Sequence, residues 1–162
     1  MDFKNEVLAL LDKNAKLTAS EIAVQLGVDV TEVAAFIAQS EQNKLILGYR
    51  TLINWDKVDD NAVTAMIEVK ITPQNGQGFD RIAHRIYSFP QVKDCFLMSG
   101  GFDLMIIIEG KSLRDVANFV SEKVAQLEHV MSTATHFILK RYKANGTVYE
   151  NMSDSDREAI VL

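Results

Sequence analysis

The sequence predicts an α+β protein in two parts, a helical N-terminal third and a β-α-β-β-α-β domain of the ferredoxin-like type. Two observations lead to this prediction. Apolar residues recur at helical spacing up to about residue 48, and from Ala62 onward stretches of alternating apolar and polar residues appear, separated by two further helical patterns. A length of 162 residues is sufficient for two small domains.

Composition and charge limit the class of protein. Hydrophobic residues make up 48% and charged residues 24% of the chain, as in ordinary globular domains and unlike disordered chains. No apolar run approaches the roughly 18 residues of a membrane span, and the acidic start Met1–Glu6 does not resemble a secretory signal. Cys95 is the single cysteine, which excludes an intrachain disulfide. We therefore expect a cytoplasmic protein with no membrane partner, and its net charge of −5 requires any DNA binding to come from a local surface.

The first 48 residues predict three short helices. The first helix carries an apolar stripe from Phe3 to Leu11. Thr18-Ala-Ser-Glu21 has the spacing of a capping box and starts the second helix, and Gly27 ends that helix by permitting a positive φ. Asp29 repeats the cap signature and starts the third helix. This spacing is typical of a helix-turn-helix, and it fits any other small three-helix bundle equally well.

The rest of the chain predicts a linker, four longer strands and two helices. A β-rich stretch over 45–53 predicts a short strand, and the polar stretch 54–61 predicts a hinge. Beyond it we expect strands over 63–71, 92–98, 104–109 and 130–141, a loop over 73–78, and helices over 79–89 and 113–127, the second capped by Ser112. The predicted domains are 1–50, a strand and hinge linker over 51–61, a ferredoxin-like domain over 62–142, and a C-terminal tail over 143–162.

Three segments carry a resemblance to a known family. They are Leu45-Ile-Leu-Gly-Tyr49, Val92-Lys-Asp-Cys-Phe-Leu-Met-Ser-Gly-Gly-Phe-Asp-Leu104 and Val130-Met-Ser-Thr-Ala-Thr-His-Phe-Ile-Leu-Lys140. In this order they resemble the Lrp/AsnC transcription regulators of bacteria and archaea, over residues 3 to 142. The resemblance implies an N-terminal winged helix-turn-helix that binds double-stranded DNA. It also implies a C-terminal domain of the RAM type that forms dimers, assembles further and binds a small amino acid between subunits. Since a sheet with helices on one face leaves its other face open, we expect a homodimer that assembles to an octamer.

The N-terminal third departs from the family pattern in its charge. Family members usually carry two arginines in the recognition helix, whereas residues 25–43 contain no basic residue. Residues 1–50 hold five Lys or Arg against seven Asp or Glu, a net charge of −2 that disfavours phosphate binding. The remaining candidate DNA contacts are polar or basic: Lys16, Ser20, Thr31, Gln39, Gln42, Asn43 and Lys44. The alternative is that these side chains only solvate a helix surface.

The hairpin around Asp103 is the candidate effector site that the resemblance implies, together with the last strand. The residues concerned are Met98, Ser99, Gly100, Gly101, Asp103, Leu104, Thr133 and Thr135. The glycine amides suit an α-carboxylate, and Asp103 or nearby hydroxyls suit an α-amino group. The apolar Met98 and Leu104 favour a neutral amino acid. The alternative is a structural hairpin in which Asp103 accepts turn amides and the threonines face a neighbouring subunit.

Catalytic patterns are missing from the sequence. The three histidines form no metal-binding pair, one cysteine cannot build a thiolate metal site, and there is no G-x-S-x-G elbow. Gly76-Gln-Gly78 lacks the third glycine of a nucleotide fingerprint. We therefore expect no catalytic residue, no metal and no cofactor. The resemblance to the Lrp/AsnC family implies an amino-acid-responsive transcriptional regulator of amino-acid metabolism or transport. Two alternatives stay open: an amino-acid sensor or partner-binding module with little or no DNA binding, and a relative of the tetrapyrrole decarboxylases, which share this two-domain plan.

Overall fold

The computed structural model describes residues 2–58, 62–72 and 78–149. The chain divides into two compact units, Met1–Ile53 (unit 1) and Asn54–Leu162 (unit 2). Residues 73–77 of the predicted loop, and the predicted tail from residue 150 onward, lie outside the described residues. Within the described ranges, none of the helices has the length and apolar character that a bilayer crossing requires.

Unit 1 consists of the three predicted helices, α1 (Phe3–Lys13), α2 (Ala19–Leu26) and α3 (Val30–Gln42). Their inward faces meet in one small core. The buried members of this core are Val7, Leu11, Ile22, Ala23 and Val33. The helical apolar period read from the sequence therefore places the correct residues inside.

The ends of α2 and α3 are closed as the capping signatures predict. The Glu21 amide donates to Thr18 Oγ1 over 3.2 Å, and the Thr18 amide donates to Glu21 Oε2 over 2.8 Å, which confirms the capping box. Gly27 ends α2 at φ +67°. Asp29 accepts the Thr31 amide over 2.7 Å at the start of α3. These hydrogen bonds lower the pKa of Glu21, mainly through the Thr18 amide, and that of Asp29, mainly through the Thr31 hydroxyl.

These caps make unit 1 sensitive to acid. A carboxyl group whose pKa is lower in the folded state stabilises that state above its unfolded pKa, and the stabilisation disappears as the pH falls through the folded value. The double variant Glu21→Gln/Asp29→Asn keeps cap-forming side chains but removes both titrations, so its melting temperature should fall less than that of the wild type below about pH 5. Thermal unfolding followed by circular dichroism over a pH series measures this. The exposed pair Asp12→Asn/Glu122→Gln is the matched control, and an equal effect there would contradict the assignment.

Residues 45–53 differ from the prediction. Ile46 packs against the core of unit 1, but the described chain forms no strand over this stretch, so the predicted short strand is wrong for the single chain. Leu47 is 87% exposed, and Leu45 and Leu52 are exposed as well. The physical reason is that a strand requires a partner for its backbone groups, and none of the described strands lies beside this segment. No wing strand therefore forms within the described chain.

Unit 2 contains a four-stranded antiparallel sheet with the predicted β-α-β-β-α-β order. Its elements are β1 (Val63–Ile71), α4 (Gly78–Tyr87), β2 (Val92–Leu97), β3 (Leu104–Gly110), α5 (Leu113–Phe119), a π-helical turn (Val120–Val124) and β4 (Val130–Phe137). The strands lie in the order β2-β3-β1-β4. The ferredoxin-like prediction is confirmed.

One face of this sheet carries the core. Ala65, Ile67, Val69 and Ile71 of β1 are buried, in the strict alternation that the sequence predicted. They form one cluster with buried residues of β3, of α4 and of the segment 116–124. Among the described residues, no helix packs on the opposite face of the sheet.

The end of the sheet differs from the prediction in two ways. β4 stops at Phe137, which pairs with Ala65, instead of at residue 141; the last bond between the two segments is that of the Ile138 amide to the Thr64 carbonyl. A small hairpin, β5 (Lys143–Ala144) and β6 (Thr147–Val148), then forms inside the predicted tail. Its turn, Asn145-Gly146, has two positive φ angles, +48° and +75°, as a tight hairpin turn requires.

Candidate functional site

The exposed surface of α3 is neutral at its centre and acidic at its edges. With 100° between successive residues, the side opposite Val33 and Ser40 faces solvent. The centre of that side is formed by Thr31, Ala35, Ala38 and Gln42. Glu32 and Glu41 lie on the two flanks, each about 90° from the centre. The small central side chains allow close approach of another surface, and the carboxylates border it.

The residues predicted to contact DNA lie on the surface of unit 1, in four places. Gln39 and Gln42 are on the last turns of α3, followed by Asn43 and Lys44, which has a φ of +60°. Ser20 is exposed in the first turn of α2, and Lys16 is exposed between α1 and α2. The remaining candidate is Thr31.

Two side chains of unit 1 have partners that restrict them. Thr31 donates its hydroxyl to Asp29 in the cap of α3, so this hydroxyl is engaged locally. Glu41 accepts a 2.7 Å hydrogen bond from the Tyr49 hydroxyl, which raises the pKa of Tyr49. This bond holds the carboxylate on the flank of α3 that faces residue 49. Tyr49 is part of the family-like segment 45–49, but its bond to Glu41 was not predictable from the sequence, because a contact between a helix and the coil beyond it has no periodic signal.

The hairpin between β2 and β3 forms at the predicted place. The Met98 amide donates to the Asp103 carbonyl over 2.8 Å, which leaves a loop over 99–102. Gly100 has a φ of +141°, a region that favours glycine. A Cβ built on either Gly100 or Gly101 meets no atom within 4 Å, so the loop is open to solvent.

Asp103 joins this hairpin to the end of β1. Its carboxylate accepts the Ile71 amide over 2.7 Å, and its own amide donates to the Val69 carbonyl over 3.1 Å. The pairing of β1 with β4 shifts register between Lys70 and Ile71. The backbone ladder between β1 and β3 ends at the pair Val69–Leu104, and the Asp103 side chain continues the hydrogen bonding along that edge of β1 to Ile71. The amide that it accepts belongs to β1, not to the turn.

The threonines of β4 lie on one face, as predicted. Thr133 is opposite Val69 and Thr135 is opposite Ile67, so both half-buried side chains are on the helix-covered face of the sheet. Because β1 separates β4 from β3, their backbones are about 10 Å from the hairpin strand. Within one chain, the threonines and the hairpin are thus two strands apart.

Leu104 does not fit its predicted role. It is 1% exposed and belongs to the core of unit 2, so its side chain is not available to select a ligand from solvent. The reason is its register opposite Val69, on the helix-covered face of the sheet. Met98 is half-buried and Ser99 is exposed, so these two predicted residues remain accessible.

A separate cavity lies in unit 2 at the far end of β3. Its volume is about 470 Å³, and its polar lining includes Gln91, Lys111, Asp115 and Asn118. None of these residues is among the site residues that the sequence predicted. Among the described residues, no group of three or more His, Cys, Asp or Glu side chains is placed to hold a metal ion.

Comparison with known proteins identifies the family. The model of the Lrp/AsnC ligand binding domain matches residues 64–148. The uncharacterized HTH-type transcriptional regulator YugG of Bacillus subtilis is 46% identical over 159 residues, covering 98% of this chain and 95% of that protein. The proline dehydrogenase transcriptional activator of Rhodobacter capsulatus is 26% identical, covering 83% and 86%. A Neisseria meningitidis transcriptional regulator, solved with L-Met, has the same fold with a TM-score of 0.72 at 20% identity, covering 89% and 92%. The chain belongs to the Lrp/AsnC family of transcriptional regulators.

Proposed function

We propose that the protein is a cytoplasmic, amino-acid-responsive regulator that binds double-stranded DNA and controls amino-acid metabolism or transport. The observation that carries this proposal is the presence in one chain of a helix-turn-helix unit and a matched ligand-binding domain. The names of two relatives support it, since one activates transcription of proline dehydrogenase and one was solved with L-Met.

The exposed face of α3 is the proposed DNA-reading surface. An α-helix fits the major groove, and the small side chains of Ala35 and Ala38 permit close approach to base edges and thymine methyl groups. Gln39 and Gln42 can each donate and accept toward a base, as glutamine does with adenine. Lys16 and Lys44 are the proposed phosphate contacts, which position the helix without reading sequence. The flanking Glu32 and Glu41 weaken binding per domain, so several domains of one assembly must act together.

Substitutions at Gln39 and Lys44 distinguish a base contact from a phosphate contact. Gln39→Ala should reduce the preference for operator over random DNA by about tenfold, because one base contact is lost. Lys44→Ala should weaken binding to both DNAs equally and lower the slope of log affinity against log salt by about 0.9, because one phosphate contact is lost. Gel-shift titrations of the full-length protein over a salt series measure both effects.

The control for this experiment is Gln25→Ala, an exposed glutamine on α2 outside the proposed surface. It should change neither the operator preference nor the salt slope.

The acidic flanks of α3 also favour a second candidate function, an amino-acid sensor that does not bind DNA. Gel shifts with DNA from the protein's own upstream region, at low salt and with and without amino acids, test this alternative. The absence of any retarded band would support it.

The proposed effector site combines the hairpin of one subunit with the threonines of another. Met98, Ser99, Gly100, Gly101 and Asp103 supply the hairpin part. Thr133 and Thr135 lie about 10 Å away within their own chain and on the helix-covered face of the sheet, so a small ligand that contacts both sets is best placed between two subunits that meet elsewhere than across the open sheet face. Such a site would couple ligand binding to assembly, because the ligand would contact only the assembled form.

The open face of the sheet is the proposed dimer interface. Its centre holds Met66, Met105, Ile107 and the 46% exposed Phe96. Polar contacts border these apolar side chains: the Lys93–Glu109 ion pair at 3.3 Å, and the His136 ring Nε2 at 3.2 Å from a Glu68 carboxylate oxygen. An apolar centre with a polar rim is the usual anatomy of a protein interface. We propose a homodimer through this face and an octamer of four such dimers.

A further inference from the structure

The densest run of basic residues in the sequence is not in the helix-turn-helix. It is the segment that connects β4 to the terminal hairpin, Lys140-Arg141-Tyr142-Lys143, with three positive charges in four residues. Residues 129–149 contain no Asp or Glu, in a chain whose net charge is −5. We call Lys140–Lys143 the basic segment. Its charge contrasts with that of residues 1–50, which hold five basic and seven acidic side chains.

Aromatic rings hold two of these cations in place. The Lys140 ammonium lies 4.9 Å from the centre of the Tyr142 ring, and the Arg141 guanidinium lies 5.6 Å from the centre of the Tyr149 ring. A ring beneath a cation restricts the long side chain before any partner binds, which reduces the entropy that binding must remove. A guanidinium stacked in this way still presents the N–H groups at its edge for hydrogen bonds.

The backbone around the basic segment is also fixed. The Tyr149 amide donates to the Tyr142 carbonyl over 2.9 Å, which closes the hairpin whose tight turn is Asn145-Gly146. The Asn54 side-chain amide donates to the Tyr149 carbonyl over 3.3 Å, so the hairpin is bound to the first residue of unit 2. Tyr142 remains 63% exposed. The Lys140 and Lys143 side chains are exposed and that of Arg141 is half-buried, so the cations lie on an ordered surface that a partner can reach.

We propose that the basic segment binds backbone phosphates of duplex DNA, as a contact surface separate from α3. The argument rests on charge complementarity: duplex DNA is a dense line of phosphates, and affinity depends on how many of them a protein neutralises. Lys140, Arg141 and Lys143 supply that neutralisation, which the acidic reading unit lacks. The inference rests on the proposed function, since it assumes that DNA is the partner, and it adds a phosphate contact in the ligand-binding domain.

The test is the salt dependence of DNA binding by the full-length triple variant Lys140→Gln/Arg141→Gln/Lys143→Gln. Loss of three phosphate contacts should reduce the slope of log affinity against log salt by about 2.7. Over a fourfold rise in salt, wild-type affinity should then fall about 40-fold more than that of the variant. The probe is random-sequence duplex DNA, measured by fluorescence anisotropy. The loss should be the same on operator DNA, because phosphate contacts carry no sequence information.

The matched control is Arg81→Gln/Arg85→Gln/Arg114→Gln, which removes three exposed positive charges from the helices of unit 2. It changes the net charge equally and should retain the wild-type slope. A second variant, Lys140→Arg/Lys143→Arg, preserves the charge and should also retain it. Melting curves of all variants show whether the hairpin substitutions act through folding.

The outcomes separate this inference from the proposed function. Equal slopes for the triple variant and its control would overturn the basic segment as a DNA contact, while operator preference in the wild type would leave the regulator proposal intact. A slope that depends on the basic segment, in a protein without operator preference, would support the inference and contradict sequence reading by α3. A wild-type protein that binds no duplex at low salt would overturn both.

Discussion

Ile107→Lys will convert the assembled protein into a monomer. Ile107 lies on the open sheet face between Met66 of β1 and Asp94 of β2, so a dimer through this face would bury the new ammonium. Even beside the Asp94 carboxylate, a charge taken out of water at an interface costs several kcal/mol, and a cost of about 3–5 kcal/mol raises the dimer dissociation constant roughly 150- to 5,000-fold. Multi-angle light scattering at micromolar concentration measures the change. The single-chain fold should survive, because the side chain at 107 is outside the helix-covered core.

Leu113→Lys provides the control, since it places the same charge at a 57% exposed apolar residue of the same unit. It should leave the protein at least dimeric. Wild-type mass should correspond to eight chains if the four dimers assemble as proposed. A wild-type dimer would contradict the octamer only, whereas a wild-type monomer at this concentration would contradict the interface itself.

Local signals in the sequence predict local structure well here. The Thr18–Glu21 capping box, the Gly27 stop and the Ser112 cap each depend on residues within about four positions, and all three form. The alternation in β1 also predicts which side chains are buried, because one face of a strand must meet the helices. These are features that a segment determines with little help from the rest of the chain.

The incorrect boundaries have a non-local origin. β4 ends at its pair with Ala65 although Val63 and Thr64 of β1 continue in the ladder with β3, and residues 138–141 themselves carry no signal of that end. The segment 45–53 has β-forming residues but no partner strand in the described chain. The hairpin at Asn145-Gly146 is the exception, since an Asn-Gly pair is a recognised turn signal that the acidic composition of the following residues obscured.

In the candidate effector site, too, local features were predictable from the sequence and non-local contacts were not. That Asp103 needs partners was foreseeable from its apolar neighbours, but its partner, the Ile71 amide, is 32 residues away in the chain. The register of β3 against β1 also decides that Leu104 faces the core and not a ligand. Periodicity assigns residues to faces of a strand. Which face is covered, and which strand lies alongside, follow only from the assembled sheet.

A small neutral amino acid should stabilise the protein markedly through the hairpin site. At a concentration 100 times its dissociation constant, a ligand that binds only the folded form adds about 2.7 kcal/mol to the free energy of unfolding. For a domain of this size the melting temperature should rise on the order of 10 °C. A thermal-shift screen of the twenty amino acids at millimolar concentration identifies the effector. If none of them changes the melting temperature, the proposed site is wrong.

Asp103→Asn then tests the role of the carboxylate in that site. Asparagine retains an oxygen that accepts the Ile71 amide, so the link between hairpin and β1 is kept, but it removes the negative charge proposed to bind the α-amino group. We expect near-normal stability without ligand and loss of most of the ligand-induced shift. Asp103→Ala removes both functions and should lower the unliganded stability by about 1 kcal/mol as well. Asp80→Asn, an exposed carboxylate on α4, should respond like the wild type. A full shift in Asp103→Asn would move the effector away from the hairpin, and the 470 Å³ cavity beside α5 would be the next site to test.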